Sequence, residues 1–443
     1  MIELALSLAA SAAPLQVHAE TFTLDNGLTV ILEENHRADS VALFLHYGVG
    51  SRDEHQGEHG CAHLFEHIMF EGSAHVPGSS FDDWLTAAGG NNNAYTSEDQ
   101  TAYHMEFPAG ALDLALFLES DRMAFLDAGL TAENVQNQQS VVLQERARGY
   151  DGPNGRDWDA LALAQFPPEH PYGHPVIGSE ADVSGFSLDA VQDFWRRSYR
   201  PSNAVLVLVG HFETADAREA VTRWFSDVPD HEAAPRSERA DFAFTPQRHM
   251  LYDNVSDRSL YLSWGTVPEA HVDHAALEIA AQALSGGRGA RLSDALVYDH
   301  SVADYELAMD YPMRDEGLFL VMASTSSRSL RAVNRVAQRQ VASLWRDPLS
   351  DDELDRARRV IRASRLDAQE APLDRASELA RCQVTYGTPD CLVGEWQALE
   401  AVTAADVARV AQTYLTQDRL TALSVVPNDD RRALPHSTLV EVP

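Results

Sequence analysis

The sequence predicts an α+β protein made of two similar halves. Its 443 residues exceed what one compact core usually contains. Strands, helices, a last helix and a last strand follow in the same order before and after residues 227–248, a stretch rich in Pro, Ala and charged residues that has the composition of a linker. Such recurrence is typical of two copies of one unit. We therefore expect domains at residues 20–226 and 249–443, joined by this linker.

The elements of the first half follow from local patterns. Asn26-Gly27 between two apolar segments predicts a hairpin with a tight turn, formed by residues 21–24 and 28–32. Thr131 has the position of a helix N-cap, with Glu133 in the first turn. Further strands are predicted at residues 40–47, 93–96, 101–107 and 203–209, and helices from residue 60 and at residues 80–88, 109–126, 131–150, 187–199 and 214–225.

The second half repeats this order with different residues. Between its elements, the Gly286-Gly287-Arg288-Gly289 segment lacks the Lys-Ser/Thr pair of a phosphate-binding loop, so we interpret it as a connection. Strands are predicted at residues 249–254, 259–264, 318–323 and 420–426, and helices at residues 273–284, 329–342, 351–366 and 404–414.

The chain is strongly acidic. Its net charge is −33, and all 34 basic residues are Arg because the sequence contains no Lys. Such a surface repels phosphate backbones and anionic lipids, which argues against a nucleic-acid-binding protein. Beyond the N-terminal segment, no apolar run approaches the roughly 18 residues needed to span a bilayer. We therefore expect no membrane span in the mature protein.

The N-terminal segment resembles a secretory signal peptide at residues 1–19. It is rich in Ala and Leu and ends in a small-residue cleavage pattern, although Glu3 stands where a basic residue is usual. We expect a periplasmic or secreted protein; the alternative is an N-terminal extension of a cytoplasmic one. In an oxidising compartment Cys382 and Cys391 could pair, whereas Cys61 is expected to be a small buried residue.

The run His63-Leu64-Phe65-Glu66-His67 has the order H-x-x-E-H. Its apolar residues predict a helix, on which the two His, one turn apart, share a face while Leu64 and Phe65 point into a core. Two imidazoles at this spacing can hold one Zn²⁺, and the carboxylate of Glu66 can take a proton from a water that the ion activates. The order H-x-x-E-H is the motif of inverzincin peptidases.

A zinc site also needs a third protein ligand, brought in by a second regular element. Glu145 lies on a predicted helix far downstream of His67, where an antiparallel helix could bring it to the motif. Gln138 stands seven residues earlier, two turns back and on nearly the same face. Arg146 and Arg148 follow Glu145, so a surface ion pair is the alternative role for this carboxylate.

Six segments occur in the order known from one peptidase family. They are GVGSRDE at 48–54, HGCAHLFEHIMFEGS at 59–73, GGNNNAYTSEDQTAY at 89–103, QQSVVLQE at 138–145, HPYGHPVIG at 170–178 and PSNAVLVLVG at 201–210. Together they resemble the M16 peptidases, the family of insulinase, pitrilysin and the mitochondrial processing peptidase, in its short bacterial branch. The resemblance extends from about residue 20 to residue 428. It implies two homologous M16-type (LuxS/MPP-like) domains that form half of a clam-shell chamber.

The resemblance also implies an activity, that of a zinc-dependent endopeptidase acting on peptides or unfolded protein segments. One Zn²⁺ per chain would be held by His63, His67 and Glu145, with Glu66 as the general base. Gln138 stands where many relatives carry a second Glu, and an orienting hydrogen bond from its side chain is expected. The segment that matches the family's edge strand, to which an extended peptide adds by main-chain pairing, consists of Asn93, Ala94, Tyr95 and Thr96.

The sequence departs from the family in the second half. The family segment R-L-x-x-x-L-R-x-x-x-G-L-A-Y corresponds to residues 291–304, where Val297 replaces the Arg and Asp304 the Tyr that bind the substrate carbonyl. Tyr298 and Tyr305 stand one residue later, but such a shift turns a side chain on an α-helix by about 100°. We therefore expect a second M16-like subunit that supplies the Arg and Tyr; a homodimer is the alternative.

Two other roles remain for such a chain. One is a non-catalytic structural M16-like subunit, as in respiratory complexes; such subunits usually lose the ligands or the base, which this chain retains. The other is a protein that holds Zn²⁺ only structurally, although structural sites are normally four-coordinate and rich in Cys. His170 and His174 also have a metal-like spacing, but the prolines between them preclude a helical pair, so we expect a structural loop. His55 and His59 are expected to be solvated.

Overall fold

The computed structural model describes residues 18–231, 242–428, 430 and 432–442. Residues 1–17 of the predicted signal peptide and residues 232–241 of the predicted linker lie outside these ranges. Within them, no helix combines the length and apolar character required to cross a bilayer.

Twelve strands form two sheets among the described residues. The strands are β1 (Glu20–Thr23), β2 (Thr29–Glu34), β3 (Ser40–Tyr47), β4 (Asn91–Thr96), β5 (Thr101–Pro108), β6 (Ala204–Gly210), β7 (Gln247–Asp253), β8 (Arg258–Thr266), β9 (Tyr305–Pro312), β10 (Gly317–Thr325), β11 (Leu420–Pro427) and β12 (Thr438–Leu439). The first sheet has the order β1-β2-β6-β3-β5-β4, and the second has the order β12-β7-β11-β8-β10-β9.

The two sheets share one topology. In each, a strand from the end of its half lies between the first two long strands, parallel to one and antiparallel to the other: β6 between β2 and β3, and β11 between β7 and β8. Both sheets then continue through antiparallel pairs to an edge strand, β4 in the first and β9 in the second. This correspondence agrees with the repeated order of elements that the sequence predicts.

Helices cover the faces of both sheets. They are α1 (Cys61–Ile68), α2 (Ser80–Ala87), α3 (Leu112–Gly129), α4 (Ala132–Asp151), α5 (Asp157–Gln165), α6 (Glu180–Gly185), α7 (Leu188–Ser198), α8 (Thr214–Phe225), α9 (His274–Ser285), α10 (Leu330–Arg346), α11 (Asp351–Asp367), α12 (Pro372–Tyr386), α13 (Leu392–Ala401) and α14 (Ala404–Tyr414). The predicted N-cap Thr131 accepts a hydrogen bond from the Asn134 backbone and begins α4 as expected. The helices α5, α6, α12 and α13 and the strands β9 and β12 are not anticipated by the sequence patterns.

Two of these helices are exchanged between the halves. Helix α12, from the second half, packs Ala376, Leu379 and Ala380 onto the first sheet, where Phe44 and Val207 are buried beneath it. Helix α5, from the first half, packs in turn onto the second sheet with the residues Ala160, Leu161, Ala164, Leu320, Leu423 and Val425. Each sheet is therefore covered on one face by its own helices and on the other by a helix from the opposite half.

Ion pairs fix these exchanged helices. Arg375 of α12 is within 2.7 Å of Glu33 on β2, and Arg156, just before α5, is within 2.6 Å of Asp253 on β7. The disulfide predicted between Cys382 and Cys391 is present and joins α12 to the start of α13. Cys61 is a buried free thiol, also as predicted.

Candidate metal centre

Helix α1 is positioned by its apolar face. Leu64, Phe65 and Ile68 are fully buried, and the Phe65 ring lies 4.2 Å from the Tyr199 ring. Burying three large side chains of an eight-residue helix stabilises it by several kcal/mol, about 1.5–3 kcal/mol each. The same packing turns the opposite face, which carries His63, towards the surface. The helix predicted from the H-x-x-E-H motif is thus confirmed, and its core-facing side is the one that the pattern indicates.

The two His of the motif meet Glu145 of helix α4. The Nε2 atom of His67 lies 3.4 Å from Glu145 Oε2, and that of His63 lies 3.9 Å from the same oxygen. One nitrogen of each ring and this carboxylate oxygen all lie within 4.8 Å of one another. The structure therefore brings together the three residues that the sequence proposes as ligands, from two helices that contact each other.

These distances fit a zinc ion. Two ligand atoms about 2.1 Å from an ion with tetrahedral geometry lie about 3.4 Å apart, close to the separations of the carboxylate oxygen from the two rings. Burial, reinforced by His67, lowers the pKa of His63 to about 4, so its imidazole is neutral at neutral pH, as ligation requires. The side chain of Glu145 is 52% exposed, which leaves this side of the cluster open to solvent and to a substrate.

Glu66 lies beside the cluster and is held by the edge strand. Its Oε2 accepts a hydrogen bond of 2.6 Å from the Thr96 hydroxyl on β4. Burial raises the pKa of Glu66, whereas the Thr96 hydrogen bond and the charge of His67 act in the opposite direction. A carboxylate with a raised pKa is a better match for proton transfer near neutral pH than an exposed one.

Gln138 contacts a residue that the sequence did not single out. Its amide donates to Glu71, and the Asn134 amide donates to the other carboxylate oxygen of Glu71 at 2.8 Å. Glu71 comes four residues after His67 and lies beyond the end of α1. The hydrogen bonds of Gln138 and Asn134 thus join α4 to the chain that leaves the metal-motif helix. In the sequence, the acidic residue Glu71 shortly after the motif indicates a possible contact, but its spacing does not identify Gln138 as the partner.

The four residues proposed to bind substrate lie on a free sheet edge. Strand β4 pairs with β5 alone among the described strands. The Thr96 side chain reaches Glu66, while the Tyr95 ring lies 6.4 Å from the Phe44 ring on the α12 side of the sheet. The backbone N–H of Ala94 donates to the Asn93 side chain at 2.9 Å. This outward-facing N–H is thus satisfied by a side chain, which an added strand would have to displace.

The segment that lacks the family Arg and Tyr forms a π-helix at Ser293–Asp299. Val297 packs against the core of the second half, and the Asp304 carboxylate accepts two hydrogen bonds from Ser326. Tyr298 and Tyr305 are 60% and 52% exposed. The rotation of about 100° predicted for an α-helix is therefore wrong here: Val297 and Tyr298 lie in a π-helix, whose turn contains more residues, and Tyr305 begins strand β9.

The remaining His residues near the motif lie in a loop, as predicted for His170 and His174. The His174 ring stacks on the His59 ring at 3.9 Å, and His170 stacks on Phe166 at 4.6 Å. His59 is therefore half-buried rather than solvated, because the loop folds back over it. His55 is exposed, as expected.

Two sequence profiles cover most of the chain. Residues 29–155 match the profile described as insulinase (peptidase family M16), and residues 185–361 match the profile described as peptidase M16 inactive domain. The chain belongs to peptidase family M16. The two-domain α+β fold and the family resemblance predicted from the sequence are thereby confirmed.

The relatives agree with this assignment over almost the full length. A protein of Mycobacterium bovis named as an uncharacterized zinc protease is 28% identical over 421 residues, which is 93% of this chain and 94% of the relative. The crystal structure of a protease from Helicobacter pylori superposes with a TM-score of 0.86 at 24% identity, covering 92% of this chain and 99% of that chain. The first half of the periplasmic protease PqqL from Escherichia coli superposes with a TM-score of 0.76 at 19% identity, covering 95% and 94%. At such identities the two structures support the fold alone.

Proposed function

We propose that this M16 protein is a zinc-dependent endopeptidase that hydrolyses peptides or unfolded protein segments. The observation that carries the proposal is the convergence of His63, His67 and Glu145 at separations that fit one zinc ion, with Glu66 beside them. The zinc proteases among the relatives support the same chemistry. We propose one ion per chain, because the described residues bring the two motif His together with one carboxylate at a single point.

Each side chain has a distinct task in this reaction. Zinc, when bound, supplies a Lewis acid that activates a water and polarises a carbonyl. Glu66 takes the proton from the attacking water and passes it to the nitrogen of the leaving amine, so one carboxylate serves as base and then as acid. The Thr96 hydroxyl holds the Glu66 carboxylate, and Glu71 ties α4, through Gln138, to the chain after α1.

The substrate adds to strand β4. An extended peptide paired with Asn93, Ala94, Tyr95 and Thr96 would lie along the same edge from which Thr96 reaches Glu66. Main-chain pairing recognises backbone N–H and C=O groups rather than side chains, so extended segments of many different sequences can bind. Folded domains, whose strands are already paired, are poor substrates for such an edge.

The absence of the family Arg and Tyr motivates the proposal of a partner. Val297 and Asp304 have structural contacts of their own and offer no cation or phenol for the substrate carbonyl. We propose that a second M16-like subunit supplies these groups, with a homodimer as the alternative. Mixing the purified chain with a candidate subunit should raise peptide cleavage strongly. Full activity of the purified chain alone would show that no second type of subunit is needed.

We further propose that the protein acts in the periplasm or outside the cell. The Cys382–Cys391 disulfide is the supporting feature, because disulfides persist in oxidising compartments. Fractionation of cells that express the full-length chain, with N-terminal sequencing of the mature protein, tests the location and the predicted cleavage near residue 19 together.

The deciding experiment measures zinc content and peptide cleavage in the same samples. The wild type should bind one zinc ion per chain, and replacing His63, His67 or Glu145 by Ala should remove it. Cleavage should be lost with the metal in each case. A chain that keeps its zinc after all three replacements would hold it elsewhere, and the proposed active site would then be wrong. A non-catalytic subunit would bind zinc without cleaving any peptide in any assembly.

A further inference from the structure

Glu54 is the last residue of the GVGSRDE segment, which precedes the metal-motif helix α1. Its carboxylate is buried, with 6% of the residue exposed. Its Oε2 accepts a hydrogen bond from the Gly60 backbone N–H at 2.8 Å, and its Oε1 accepts one from the Ala62 N–H at 2.7 Å. The first N–H groups of a helix have no partners within the helix, and they carry its partial positive charge. The N-cap Gly60 has no side chain to satisfy them, so Glu54 does this from outside α1.

The loop at residues 170–178 closes on the same helix end. Gly60 has a φ of +94°, and a Cβ at this position would lie 2.7 Å from the Ile177 carbonyl oxygen. A Cβ on Gly178 would lie 2.2 Å from the carbonyl oxygen of His59. The two backbones touch only because both positions are glycine. His174, from this loop, places its Nδ1 3.7 Å from Glu54 Oε2.

The hydrogen bonds of Glu54 at this end of α1 constrain the helix in a way that its apolar face does not. Packing of Leu64, Phe65 and Ile68 holds the helix against the core, but the free energy of apolar burial depends on the area removed from water and not on direction. Two hydrogen bonds to one buried carboxylate have preferred lengths and angles. They therefore fix the position of the helix along and about its axis.

We propose that Glu54 is a positioning residue for the metal centre: by holding the first turn of α1, it sets where both imidazoles meet Glu145. Ala62, whose N–H it binds, directly precedes His63, so a displacement of the first turn moves this ligand immediately. Because Glu145 stands on a different helix, the 3.4 Å between His67 Nε2 and Glu145 Oε2 depends on the placement of α1. The inference rests on the proposed zinc site and assigns a role to the GVGSRDE segment that the peptidase chemistry does not use.

The test compares zinc affinity with stability in the full-length chain. Glu54→Gln keeps the shape of the side chain but turns an NH₂ group towards one of the two N–H groups. Glu54→Asp keeps both oxygens but is one methylene too short to reach both donors. We expect each variant to bind Zn²⁺ about 10- to 100-fold more weakly in a chelator competition, the range found when groups that orient metal ligands are removed.

Ser350→Ala is the matched control, because it removes the side-chain cap of α11 in the second half. It should lower the melting temperature of the apoprotein without changing the zinc dissociation constant. Substituted Co²⁺ gives an independent readout, since its visible absorption reports ligand geometry. We expect the Co²⁺ spectrum of Glu54→Gln to differ from that of the wild type, while Ser350→Ala retains the wild-type spectrum.

Several outcomes would overturn the inference. If the Glu54 variants lose stability but keep the wild-type zinc affinity and Co²⁺ spectrum, Glu54 is structural only. If neither variant yields folded apoprotein, Glu54 is required for folding and the positioning role is rejected. If the wild type and His63→Ala bind Zn²⁺ equally, the proposed metal site itself is wrong. Wild-type binding that depends on His63, with unchanged affinity in Glu54→Gln, leaves the proposed function intact and removes this inference alone.

Discussion

Replacing Glu66 by Gln should separate metal binding from hydrolysis. The three proposed ligands do not include Glu66, and Gln retains a carbonyl oxygen that can accept the Thr96 hydrogen bond. The geometry around the site should therefore survive. What Gln cannot do is accept a proton from the attacking water, because its amide has no basic oxygen or nitrogen near neutral pH.

The expected loss in rate follows from this single missing function. General-base catalysis contributes about 10²- to 10⁴-fold, so kcat should fall by that factor, equivalent to about 3–5.5 kcal/mol in the barrier. KM should change little, since β4 and the substrate contacts are untouched. Because burial raises the pKa of Glu66, its charged form is less favourable in the folded apoprotein than in the unfolded chain. Neutral Gln should therefore leave the melting temperature of the apoprotein equal or higher.

The assay is cleavage of an unstructured, quenched-fluorescent peptide by the active assembly, with zinc measured in the same preparation. Glu145→Gln is the matched control, because it makes the same chemical change one helix away on a proposed ligand. It should lose zinc affinity together with activity, whereas Glu66→Gln should lose activity alone. Cleavage by Glu66→Gln within about threefold of the wild type would refute the role of Glu66. Loss of zinc in this variant would instead make Glu66 a ligand.

Three further predictions concern stability. Burial, with the nearby charge of Arg314, lowers the pKa of His46 to about 3, from a value near 6.5 in the unfolded chain. As the pH falls below about 6.5, the unfolded chain therefore takes up this proton before the folded protein does, and the free energy of unfolding decreases. At pH 5 the decrease due to His46 is about 2 kcal/mol. Urea unfolding at pH 8 and pH 5 should show a loss that is smaller in His46→Leu than in the wild type by about this amount. Phe65→Ala, which empties a fully buried site against Tyr199, should lower the unfolding free energy by about 3–5 kcal/mol, and a loss under about 1 kcal/mol would contradict the packing described. Replacing both Cys382 and Cys391 by Ala opens a loop with a sequence separation of 9 and should cost about 2–3 kcal/mol, measured against the wild type with and without reductant.

Local patterns predict most of the first sheet and the grouping of the three candidate metal ligands. The H-x-x-E-H run has both the spacing of a helix and the residue types of a metal site. Helix α4 is long enough for residue spacing to predict which side chains share a face. Strand β3 and helix α8 begin and end where the sequence patterns place them. These elements are predicted well because the apolar run of β3 and the helical spacing of α8 can be recognised within the element itself.

The exchanged helix α12 could not be predicted in the same way. Its apolar face, with Leu379 and Ala380, fits either sheet by pattern alone, and only the folded topology places it on the first. Nor does sequence spacing reveal that Gln138 contacts Glu71 or that Glu54 binds the start of the later helix α1, because a helix or strand period does not relate the residues of either contact. The π-helix at Ser293–Asp299 was missed because a helical pattern of seven residues does not distinguish the two kinds of turn.

The exchange of α5 and α12 makes the linker a poor place to cut the protein in two. Each severed half would present a bare apolar sheet face to water and would have lost the carboxylate or guanidinium that paired across the join. The linker at residues 227–248 thus separates two halves in sequence, but the two halves do not fold and unfold independently. The smallest part of this architecture that we expect to fold by itself is the whole chain. After cleavage between the halves, the two fragments should remain associated.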